Sequence, residues 1–142
     1  MRNTVLLVAV LAILVMLVGC SAPPSDEKVN TEITEYAKKC SWKIKVPNKE
    51  ISETYSGSRV QIDGISIVAK SFESTDGSVK FTLKGKKSGK PDINAWYGWS
   101  YESAQPYLSE LFSFEGEWKF KKYDKGWKIS QEPTTYEAVY VK

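Results

Sequence analysis

Four large aromatic rings fall within seven residues, at Trp96, Tyr97, Trp99 and Tyr101 of the stretch Ala-Trp-Tyr-Gly-Trp-Ser-Tyr. Rings spaced this closely could stack on the face of a sugar or of an aromatic ligand. They could equally be buried against a sheet, since aromatic side chains remove large apolar areas from water. Taken as an extended strand, the stretch puts Tyr97, Trp99 and Tyr101 on one face at about 7 Å spacing, and Trp96, Gly98 and Ser100 on the other. Its flanks, Pro91-Asp92-Ile93-Asn94 and Glu102-Ser103-Ala104-Gln105-Pro106, are turn-rich. We expect core packing to account for most of the stretch, with one side covered by Tyr107, Leu108 and Leu111 of a short following helix. Trp96, Tyr97, Trp99 and Tyr101 remain the candidate binding residues.

Other chemistry is sparse. The chain has no His, which excludes a His-dependent triad, a His-ligated zinc and a His acid or base. Asp63, Asp76 and Asp124 occupy turn positions with Gly, and Glu115 and Glu117 alternate to the outer side of their strand. Glu73, near a hairpin tip, is the one acid expected on an apolar strand face, so no catalytic residue is assigned and no enzyme is expected. There is no Gly-rich phosphate loop, no Cys-x-x-Cys and no acidic calcium loop, so neither cofactor nor metal is expected. Lys84, Lys86, Lys87 and Lys90 cluster in Lys-Gly-Lys-Lys-Ser-Gly-Lys. They could meet anionic headgroups or cell-wall polyanions at ~1 kcal/mol each, but their Gly and Ser spacing indicates a solvated loop. A formal net charge of +3 is no footprint for nucleic acid.

The N-terminus bears on location. Arg2 precedes an unbroken apolar run from Val5 to Val18, the layout of a secretory signal, and the run is short of the ~20 residues that span a bilayer. Leu17-Val18-Gly19-Cys20 resembles the lipobox of prokaryotic lipoproteins. The resemblance implies a signal peptide over residues 1–19 and a diacylglyceryl-modified Cys20 as the first mature residue. Two acyl chains hold a protein at a membrane, each buried methylene contributing ~0.8 kcal/mol. The expected location is therefore extracytoplasmic, lipid-anchored to a prokaryotic membrane. Ser21 permits the outer membrane in a cell that has one. With Cys20 lipidated, Cys40 has no disulfide partner and is expected to pack as a small apolar residue.

Residues 20–27 comprise the lipidated Cys and a Pro-containing tether, and residues 28–142 a single α+β domain. Val29, Ile33, Tyr36, Ala37 and Cys40 form one helical stripe, with Asp26 and Glu27 at the favourable end of the dipole. Trp42, Ile44 and Val46 alternate with lysines up to Pro47, as a strand does. Asp76-Gly77 signals a hairpin. A three-residue loop, Thr75-Asp76-Gly77 with a left-handed Gly, would bring Ile65, Ile67 and Ala69 onto the same face as Val79, Phe81 and Leu83. Phe112, Phe114, Trp118 and Phe120 alternate with polar residues in a second hairpin, which turns at Tyr123-Asp124-Lys125-Gly126 into Trp127 and Ile129. Tyr136 to Val141 forms a last strand.

The helix, the segment Ile-Asp-Gly-Ile-Ser-Ile-Val from Ile62, and Asp124-Lys125-Gly126-Trp127-Lys128-Ile129 together resemble the NTF2-like or cystatin-like superfamily over roughly residues 28–130. That resemblance implies an N-terminal helix packed on a curved antiparallel β-sheet. Residues 91–110 do not read as the strand expected there, and residues 132–142 extend past the usual last strand. Enzymes of this fold use an inward Asp or Glu base in an open concavity. The expected function is non-catalytic binding of a small ligand, an envelope polymer or a partner protein. The alternatives are an isomerase or dehydratase of this fold and a structural envelope component.

Overall fold

Helix α1, Asp26–Ala37, starts where Ser25 accepts a hydrogen bond from the Lys28 N–H at 3.4 Å, which satisfies one of the free donors of its first turn. It buries Val29, Ile33, Tyr36 and Ala37, and Cys40 continues the stripe just beyond its end. The computed structural model describes residues 22–142; the apolar run, the expected cleavage site and Cys20 lie outside the described residues. Among the described residues no helix is long and apolar enough to cross a membrane.

Eight strands follow: β1 Ser41–Lys45, β2 Ile51–Ser56, β3 Val60–Phe72, β4 Asp76–Lys87, β5 Ile93–Trp96, β6 Leu111–Tyr123, β7 Gly126–Ile129 and β8 Thr135–Tyr140. A short helix α2, Tyr101–Ala104, lies between β5 and β6. All eight belong to one open sheet in the order β3-β4-β6-β8-β1-β2-β5, with β7 beside the far end of β6. The fold is α+β, as expected, but the sheet is mixed rather than antiparallel. β8 inserts between β6 and β1, antiparallel to β6 at Phe112↔Tyr140 and parallel to β1 at Trp42↔Tyr136. The inserted strand must oppose β6, so its direction beside β1 follows.

One face of the sheet is the core. In the β4–β6 register large residues meet small ones: Phe120 stands opposite Gly77, Phe81 opposite Gly116, and Phe112 opposite Gly85. Gly77 lies under the Phe72 ring, and a Cβ there would come within 2.2 Å of a ring carbon. Trp42, Tyr36, Phe114, Trp118 and Tyr136 join edge to face, Tyr36 and Trp118 with ring centroids 4.6 Å apart. Such contacts add to plain burial.

The first hairpin departs from expectation in an instructive way. Its loop is Glu73–Thr75, two residues earlier than expected, and Gly77 sits inside β4 without a positive φ. Phe72 pairs with Gly77, which by alternation alone would put the two apolar sets on opposite faces. A register shift at Val68 restores the pairing for two of the three, so Ile67 faces Phe81 and Ile65 faces Leu83, while Ala69, beyond the shift, pairs with Lys80 and is exposed. The extra residue of a bulge does what the loop was expected to do. The lysine run is not a loop either. β4 continues through Lys87, and Lys84 and Lys86 stand on its exposed face.

Candidate functional site

β2 was not foreseen as a strand, and it carries the central residue of the site. Ile51, Glu53 and Tyr55 share the face that Ile44 and Trp42 occupy on β1, since Ile44 pairs with Glu53 and Trp42 with Tyr55. A carboxylate is thereby placed on the core face, where it is 2 % exposed. This corrects the expectation that Glu73 alone would lie on an apolar strand face; Glu73 is exposed. The pattern was available in Ile-Ser-Glu-Thr-Tyr-Ser, where three large side chains alternate with small hydroxylated ones. That is the period of a strand with one buried face.

A buried carboxylate demands compensation, and Glu53 has three donors on one oxygen. Oε2 accepts from Lys87 Nζ at 2.5 Å, from the Tyr55 hydroxyl at 3.0 Å, and from the Tyr140 hydroxyl. Lys87 also donates to the Tyr140 oxygen at 2.9 Å and lies over the rings of Tyr140 and Tyr55, 4.6 and 5.4 Å from their centroids. Its side chain is 13 % exposed. Burial, and then the neighbouring Glu53 carboxylate, push the Tyr140 and Tyr55 hydroxyls well above the ordinary tyrosine range. Both therefore stay protonated and act as donors. Lys87, the last residue of β4, is the member of the lysine run that works in the interior.

Glu53, Tyr55 and Lys87 of this cluster line a cavity of about 610 Å³. Asn94 and Trp96 of β5, which pair with Glu53 and Ile51 on the neighbouring strand, and Tyr101 of α2 line it as well. The connection from β4 to β5 is fastened by Arg59, which donates to Lys90 O at 2.5 Å and pairs with Asp92 at 3.3 Å. Asp92 in turn accepts from the Ser56 N–H at 2.7 Å.

The aromatic stretch is not an extended strand. β5 ends at Trp96, and the Trp99 N–H donates to Trp96 O at 2.7 Å across a turn in which Gly98 has a φ of +72°. Glycine takes that left-handed conformation without steric cost. Ser100 then starts α2 through a reciprocal cap with Ser103. The expected alternation is overturned accordingly. Trp96 and Tyr101, assigned to opposite faces, pack together beside the cavity with ring centroids 5.3 Å apart and planes tilted by 41°. Tyr97 is 73 % exposed, in a shallow depression with Lys43, Lys45 and Lys49 on the outer face. Trp99 is half-buried against the core, edge to face with Tyr107 at 5.3 Å and under Lys49. The covering helix expected at Tyr107 to Leu111 is a single 3₁₀ turn, Gln105–Tyr107, and Leu111 opens β6.

Cys40 is a free, buried thiol that donates to Tyr36 O at 3.3 Å, and burial raises its pKa. Among the described residues no three His, Cys, Asp or Glu gather to hold a metal. No known protein family, curated protein or solved structure matches the chain.

Proposed function

We propose that the chain is a lipid-anchored, extracytoplasmic lipoprotein whose domain binds a small ligand in the cavity beside Glu53 and Lys87. An NTF2-like or cystatin-like arrangement, a helix on a curved sheet, is the framework this proposal assumes. The observation that carries it is that a buried ion pair, Glu53 with Lys87, and the packed rings of Trp96 and Tyr101 line one cavity. Of the three donors of Lys87, the cluster engages two, which leaves one for an acceptor on a ligand. The rings offer flat apolar faces, so the ligand has a ring face to stack and oxygen atoms to accept. The saccharide units of an envelope polymer have that chemistry.

Binding of envelope oligosaccharides by the full chain tests this. Tyr101→Ala, at a half-exposed position, is expected to weaken binding about tenfold or more, the loss of one stacking contact, with the urea midpoint unchanged. Tyr97→Ala is expected to leave binding intact. Equal binding by wild type and Tyr101→Ala would refute the site.

A second reading, an isomerase or dehydratase of the same fold, draws on the inward carboxylate in an open cavity. A general base needs a free lone pair aimed at the substrate; the cluster occupies Oε2 and leaves Oε1 without a hydrogen bond from it, so this reading stands as the alternative. Glu53→Gln separates the two: a base loses turnover by orders of magnitude with binding kept, whereas the binding site loses affinity.

A further inference from the structure

Residues 22–25, just ahead of α1, are not a free spacer. The Trp127 indole N–H donates to Ala22 O at 3.4 Å, and Pro24 is buried. Asp26 and Glu32 of α1 pair with Lys70 of β3 and Lys128 of β7. Residues 22–25 thus lie along a groove whose floor includes Phe120, Gly126 and Trp127. Cys20 is two residues before Ala22, and two residues reach at most ~7 Å.

On the lipid anchor at Cys20 proposed above, we infer that the β6–β7 hairpin end of the domain sits in the phospholipid headgroup layer and that the Glu53–Lys87 cavity opens at the opposite, distal end. The tip offers Tyr123, 50 % exposed, an amphipathic ring of the kind that settles at membrane interfaces, while Trp127 is half-buried beneath residues 22–25 and against Phe72. Its lysines at 121, 122 and 125 have stems long enough to keep their ammonium groups in water. Nearby Glu73, Asp76 and Asp124 balance them in number, so the short anchored segment, and not net charge, sets the contact. β4 runs from this end, where Gly77 faces Phe120, to Lys87 at the cavity. At ~3.3 Å per residue its length places the cavity roughly 35 Å from the tip.

The test uses the full chain in phosphatidylglycerol and phosphatidylethanolamine vesicles. An environment-sensitive fluorophore is attached at Asp124→Cys or at Ser88→Cys, and quenching by spin-labelled lipid is measured; Cys40 is buried. At least a severalfold greater quenching at 124 than at 88 is expected. Equal quenching, or more at 88, overturns the orientation. Lipid on Cys20 is scored separately by mass. A lipidated chain without quenching at 124 overturns the orientation and leaves the anchor standing. Quenching at 124 without lipid overturns the anchor and shows that the hairpin seats by itself. A chain with neither overturns both.

Discussion

Glu53 concentrates the energetic risk of this domain on one oxygen atom. Removing its cation while keeping its charge strands a buried carboxylate, which typically costs about 3–5 kcal/mol. Lys87→Met is therefore expected to lower unfolding free energy in urea by about 3 kcal/mol, since the ammonium retains a little solvent exposure. The double variant Glu53→Leu with Lys87→Met removes both charges and is expected to be more stable than Lys87→Met alone. If the two variants unfold together, the ion pair is not what holds the wall of the cavity. Glu53 was overlooked in the sequence because a lone acid among Ser and Thr looks like a surface position. Its burial depends on Lys87, 34 residues on, and on Tyr140, 87 residues on. No local pattern carries such a partnership.

At the scale of elements, close approach and strand register explain most departures. Gly57 lies where β2 meets the end of α1, its N–H bonded to Cys40 O at 2.7 Å. A Cβ there would be 2.3 Å from Lys38 O, a backbone atom that cannot step aside. Gly57→Ala is expected to cost about 1–3 kcal/mol by overpacking. Gly64→Ala, with open space around its Cβ, should stay within about 0.5 kcal/mol of wild type. Thermal or urea unfolding of the two variants side by side checks both. Strands with regular alternation, β1, β6 and β8, were legible as written, and so was the helix stripe. β2 and β5 were not: one carries an acid at a core position, and the other is four residues long and ends in a glycine turn. The loop of the first hairpin was misplaced because the Val68 bulge conceals the true register.

For the whole molecule, three buried tyrosines set the alkaline limit. Burial chiefly, then hydrogen bonding with Tyr136 for Tyr36 and interaction with Glu53 for Tyr55 and Tyr140, raise all three above the unfolded value of 10.0. A raised folded pKa favours the protonated native state, so this stability is complete below about pH 10. It is lost as pH rises beyond that, where the unfolded chain ionises and the folded one does not. The urea midpoint is expected to hold steady between about pH 7 and 8, to begin falling near pH 9 where the Cys40 thiol ionises in the unfolded chain but not in the folded one, and to fall steeply above 10, with late tyrosinate absorbance appearing together with unfolding. A midpoint flat to pH 11 would contradict the burial of these hydroxyls.

The place of β8 has a consequence for the order in which the chain can assemble. β8, which follows the other seven strands in chain order, lies between β6 and β1 in the sheet, so β1, β2 and β5 have no strand pairing with β3, β4, β6 and β7 until it arrives. Closing such distant pairings late is entropically slow. A chain emerging N-terminus first would hold two incomplete half-sheets with open edges until β8 joined them.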